Sequence, residues 1–153
     1  VDANKMGIYN VTYSAVNKDG FSASVTRKVL VYDPEVTTDI SGKYKVTSTD
    51  GSQSVFDRFS VIGNSVTLTQ LAPGLYSISD YWAGLYAVTI GYGAAYACTG
   101  YFAFGKDNSI TGISSSDPWN NKMTSVTGSY DPETGKVKMD VIINYHLVME
   151  LAK

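Results

Sequence analysis

From Val137 to Leu151 every odd position is apolar or aromatic, whereas Lys136, Lys138, Asp140, Asn144 and Glu150 fall on even positions. A helix would scatter the odd set around its axis; a strand gathers it on one face. Residues 136–152 are therefore expected to be one strand of an antiparallel sheet. Strands average about 5–6 residues, so a bulge or bend near Asn144 is expected within it.

The same period opens the chain. Tyr9, Val11, Tyr13 and Ala15 alternate with Asn10, Thr12 and Ser14; after Asn17-Lys18-Asp19-Gly20, Ala23, Val25, Val29 and Val31 alternate with Ser22, Ser24, Thr26 and Lys28. This predicts a hairpin with about ten residues a side. Two strands are not stable alone in water, so the hairpin needs a surface to pack on: the following domain, a second copy or upstream strands. Pro34 and the polar run to Asp39 mark a boundary. The expected division is residues 1–34 and residues 39–153.

Beyond it, strands are expected near 42–49, 55–61, 64–70, 74–80, 85–90, 95–104, 108–113, 123–130 and 136–152. Turn residues such as Asp50-Gly51, Gly63-Asn64 and Pro73-Gly74 separate them. Such spacing predicts a meander closing into an antiparallel barrel or sandwich.

The formal net charge of -2 supplies no basic field for phosphates, which argues against nucleic acid. No apolar run reaches the ~20 residues of a membrane helix. The single Cys98 and single His146 leave neither a disulfide nor a His- or Cys-rich metal site, and no cofactor is expected. Cys98 shares a predicted strand face with Tyr96, Phe102 and Phe104, which makes it a small core residue. Catalysis would have to rest on paired carboxylates, for which Asp80 and Asp117 lie in predicted loops; most acids here read as turn residues instead. No phosphate loop is present. The expectation is that the chain is not an enzyme.

Aromatic residues and glycines concentrate in Asp80–Gly100, DYWAGLYAVTIGYGAAYACTG. Tyr81, Trp82, Tyr86, Tyr92 and Tyr96 offer flat faces for a sugar ring, of which Trp82, Tyr86 and Tyr92 are the chosen candidates, with Asp80 as a hydroxyl acceptor. Trp119 adds another, in the polar loop SSSDPWNNK. The competing reading is that these aromatics fill the core.

Residues 1–34, with GIYNVTYSAVNKDGFSASVTRKVLVYDP, resemble the last two strands of bacterial immunoglobulin-like repeats of surface proteins. Such a module needs about seven strands, so the hairpin is expected to be a C-terminal remnant. DISGKYKVTS, GLYSISDYWAGLYAVTIGYGAAYACTGYFAF and GSYDPETGKVKMDVIINY resemble the lipocalin-like C-terminal β-domain of lipid-anchored surface proteins from Bacteroidetes polysaccharide-utilisation loci, a SusE/SusF-like setting. The resemblance implies a place on the outer-membrane surface, through a lipid anchor upstream of this chain, beside a SusC/SusD-like importer. It carries over no ligand residues. The implied role is a non-catalytic module assisting capture of a polysaccharide or oligosaccharide. A structural or adhesive spacer and a small apolar-ligand carrier remain the alternatives.

Overall fold

The computed structural model describes residues 1–153 and is all-β. Strands β1 (Gly7–Val16) and β2 (Ser22–Val31) form the expected hairpin. Its turn is set by Asn17, whose Oδ1 accepts the N–H groups of Asp19 and Phe21, and by Gly20 at φ 84°. The hairpin meets the rest of the protein at its foot, where Met6 and residues 31–34 approach Ala103 and Thr111–Ile113 and where Lys106 pairs with Asp33 and Glu35. Further out, Tyr13 and Val25 are more than half exposed and Phe21 is 75% exposed.

The remaining eight strands form a closed antiparallel barrel in sequence order. They are β3 (Gly42–Ser48), β4 (Ser65–Ala72), β5 (Leu75–Ile78), β6 (Thr99–Phe104), β7 (Ser109–Ser116), β8 (Met123–Tyr130), β9 (Val137–Ile143) and β10 (Tyr145–Ala152). β10 pairs with both β9 and β3, which closes the ring. Alternate residues point inward and, as expected for eight strands, side chains fill the interior. Tyr76 stacks on Phe102 with centroids 5.3 Å apart and meets Phe104 edge-on, within a continuous cluster of 26 buried residues. Every buried side-chain nitrogen and oxygen has a hydrogen-bond partner. An apolar-ligand carrier needs an internal cavity, and this packing removes the space that reading requires.

Three expected strands are absent or shortened, for one reason. A closed barrel has no free edge, so an extra β-prone segment finds no ladder to join. Residues 55–61 instead begin with the short helix α1 (Val55–Arg58), which tucks Phe56 into the barrel mouth. Residues 85–90 coil into a π-turn, Leu85–Thr89, and Ala94–Tyr96 form a 3-10 turn, so β6 starts only at Thr99.

The long C-terminal run also differs from expectation. It is two strands, folded back at Asn144 so that Leu147 lies opposite Val141 and Met149 opposite Met139. Residues directly opposite share a face, and this register pairs odd with odd. The inward set therefore stays odd through the reversal, and the alternation gives no sign of it. Asn144 adopts φ 60°, a left-handed conformation that asparagine tolerates far better than a β-branched residue. Asn144→Val should lower unfolding free energy by about 1–2 kcal/mol, while Asn144→Gly should leave it within about 0.5 kcal/mol; urea titration of both variants reads the difference.

Candidate functional site

Up-and-down topology sends alternate connections to opposite ends of the barrel. The hairpin foot and the β4–β5, β6–β7 and β8–β9 turns lie at one end. The β3–β4, β5–β6 and β7–β8 loops and the Asn144 turn lie at the other. The aromatic-rich segment and the Trp119 loop, separate in sequence, thus converge on the end away from the hairpin.

Two aspartates build this cap in the same way. Asp80 Oδ1 accepts the Trp82 N–H at 2.8 Å and the Cys98 N–H at 3.1 Å, and Oδ2 accepts the Gly84 N–H at 3.1 Å. Asp117 Oδ1 accepts the Trp119 N–H at 2.8 Å, and its Oδ2 accepts the Asn121 N–H at 3.0 Å. Each is an Asp-x-Trp turn in which one carboxylate ties down the backbone two and four residues on. The two tryptophans meet, with centroids 6.0 Å apart. Both carboxylates are buried, at 5% and 7% exposure. The repeated Asp-x-Trp spacing was visible in the sequence, and it is the signal that links the two loops.

Trp82 is fully buried. Its indole N–H donates to the Ile143 carbonyl at 2.8 Å, an acceptor just ahead of the Asn144 reversal. The expectation that Trp82 stacks on a ligand is corrected by this burial: it is the floor under the exposed rings. Asp80 as a hydroxyl acceptor is corrected likewise, because its oxygens already hold three backbone N–H groups in a site with almost no solvent contact.

Above that floor, four rings form a closed circuit. Tyr86 lies 4.7 Å from Trp119 and 5.9 Å from Tyr92; Tyr92 lies 5.2 Å from Tyr96, which lies 5.6 Å from Trp119. Tyr92 and Trp119 are 56% and 46% exposed. Tyr96 is exposed too, although the strand pattern assigned it to an inward face beside Cys98. Tyr86 is half-buried, and its hydroxyl shares a 2.7 Å hydrogen bond with Tyr145; desolvation and this bond push its pKa up to about 12.

No charged residue lies between Asp80 and Lys106, so the β5–β6 part of the cap is neutral. Ala83, Asn120 and Asn144, three of the four non-glycine residues with positive φ, lie in the loops of this end. Such conformations cost about 1–3 kcal/mol each and gather where geometry is held for a purpose. Cys98, beneath the cap, is fully buried, and desolvation followed by the nearby Asp80 pushes its thiol pKa up, which makes it inert core.

Burial raises the Asp80 pKa above the ordinary 3.8, against the opposing pull of its backbone hydrogen bonds. Between 3.8 and the raised value the folded state binds a proton that the unfolded chain has released. Stability from this group therefore grows as pH falls through that window and is lost as pH rises through it. Urea midpoints across mildly acidic pH should show wild type gaining on Asp80→Asn toward acid. Separately, Trp119→Phe should leave an indole emission that resists acrylamide, and Trp82→Phe one that acrylamide quenches readily.

A family model for a C-terminal domain matches residues 33–153, and one for the immunoglobulin-like domain of bacterial surface proteins matches residues 1–31. No curated protein matches the chain. Among solved structures, the lipoprotein BT2262 from Bacteroides thetaiotaomicron is 32% identical with a TM-score of 0.63, over 100% of this chain and 78% of that one. A closed barrel bearing a surface-protein hairpin, with this degree of identity to a solved lipoprotein, places the chain in the family of Bacteroides cell-surface lipoproteins to which that structure and that C-terminal domain belong.

Proposed function

We propose that the aromatic cap is a glycan-recognition surface and that the protein is a non-catalytic module assisting glycan capture at the cell surface during polysaccharide utilisation. The observation that carries this reading is the circuit of half-buried Tyr86 with exposed Tyr92, Tyr96 and Trp119, held over buried Trp82 by two aspartate clamps. Large rings exposed side by side cost solvation, and such patches serve contact. Tyrosine and tryptophan suit a sugar, since the ring face takes its C–H groups while the phenol or indole edge takes a hydroxyl. Lacking charge, the β5–β6 loop has nothing to attract a highly ionic ligand by long-range steering.

Two further points fit. The acids considered for catalysis, Asp80 and Asp117, are both consumed as backbone acceptors. In this reading residues 39–153 carry recognition, and residues 1–34 belong to the immunoglobulin-like stalk. A glycan-import complex of the SusC/SusD type, in the outer membrane to which a lipid anchor would tether the protein, is the partner such a module would serve. Exposed Val88 and Ile62 favour a second reading, an adhesive spacer whose tip meets a protein partner.

Affinity electrophoresis against a panel of neutral and acidic polysaccharides separates the two. A glycan binder is retarded by at least one polysaccharide, and Tyr92→Ala and Trp119→Ala each weaken binding by about tenfold, roughly 1.4 kcal/mol. Absence of retardation by any polysaccharide, or retardation indifferent to both substitutions, overturns the reading in favour of the spacer.

A further inference from the structure

The outer wall of the barrel below the cap carries an ordered array of hydroxyls. Strand register places Thr69 opposite Ser77, Ser77 opposite Tyr101, and Tyr101 opposite Ser114, in one row across β4 to β7. Nearer the cap, Thr67 accompanies Ser79, whose backbone N–H donates to the Thr67 carbonyl, and Thr99 lies opposite Ser116. Continuing the β5–β6 register one residue beyond Ile78 and Gly100 sets Ser79 beside Thr99 and completes a second row. Neighbouring strands are about 4.8 Å apart and same-face residues about 6.7 Å apart, so these hydroxyls form a regular grid.

A polar outer wall is ordinary for a barrel. Two features set this one apart. The wall is concave here, with a groove of about 310 Å³ whose eight lining residues carry no charge; Lys43, opposite Thr67 on β3, borders it. The grid also runs into the cap at two points. Thr99 follows the exposed Tyr96 by three residues, no more than about 11 Å of chain, and Ser116 leads directly into the Asp117 clamp that holds Trp119.

Hydroxyls both donate and accept, which matches a surface to a ligand whose own hydroxyls do the same. The Thr67 N–H donates to Ser79 Oγ at 2.9 Å, which leaves the Ser79 proton free to donate outward. We infer that the hydroxyl-lined groove over β4, β5 and β6 is a second subsite for a neutral glycan, taking sugar units of the same chain beyond those stacked on the aromatic cap. The inference rests on the reading of the cap given above and adds to it a direction of chain travel, from cap to wall, and a preference for uncharged oligomers.

Isothermal titration with gluco-, xylo-, manno- and uronic-acid oligosaccharides, disaccharide through hexasaccharide, tests it on wild type, Trp119→Ala and the outer-wall double variant Thr69→Val/Ser77→Ala. Wild type should bind a neutral series with affinity rising at least fivefold with chain length. The wall variant should keep disaccharide affinity and lose that rise; Trp119→Ala should weaken every length. A length-dependent gain that survives in the wall variant, no gain in wild type, or binding confined to uronic acids overturns the second subsite while leaving the cap in place. Binding of no oligosaccharide at all overturns the cap reading itself, so the two failures are distinct. Circular dichroism of the wall variant shows whether it keeps the wild-type fold.

Discussion

Closure of the β10–β3 seam governs the architecture. Once eight strands complete a ring, every strand has two neighbours, and no edge is left to recruit further chain. Apolar segments between strands must then cover the mouths of the barrel. Phe56 on α1 and the π-turn at Leu85–Thr89 do this at one mouth, where Tyr145 meets Phe56 edge-on and bonds Tyr86. The exposed rings are the outer layer of a plug whose inner layer is core.

That plug depends on two buried carboxylates. Burying an ionised group is costly unless its lone pairs are filled. Asp80 meets the condition with three backbone N–H donors, and Asp117 with two backbone N–H groups and the Asn121 side-chain amide, neither with a cationic partner. The same donors would otherwise be orphans in turns that make no ladder. Each clamp thus satisfies the loop and places a tryptophan. The contact between Trp82 and Trp119 couples the two loops into one surface.

Much of the fold was legible because period-two alternation survives in β3, β4, β6, β8, β9 and β10, and in β6, β9 and β10 the inward residues include those the pattern names. What escaped has physical causes. The reversal at Asn144 preserves odd-with-odd pairing and so hides from a periodicity argument. LYAVTI has the composition of a strand, and only barrel closure, a property of the whole chain, denies it a partner. At the cap, composition identified the right segments, but exposure is decided by layer. Trp82 and Trp119 sit in the same Asp-x-Trp turn, yet one is floor and the other surface. Tyr96 escapes the alternation that groups it with Cys98 because β6 begins only at Thr99 and a 3-10 turn shifts Tyr96 out of phase.

The chain enters β3 and leaves β10 at the same mouth, where Lys153 reaches back over the Tyr44 ring at 5.2 Å. Everything at the opposite mouth is a connection between adjacent strands, anchored on both sides. The β3–β4 connection helps to close the seam, with Ser52 and Gln53 bonded to Val148 and His146, whereas the β5–β6 and β7–β8 loops can be lengthened or rewritten without altering the β10–β3 ladder or the foot of the hairpin. One scaffold can in this way carry many different tips, and divergence at the tip need leave no trace in the ladder that closes the barrel.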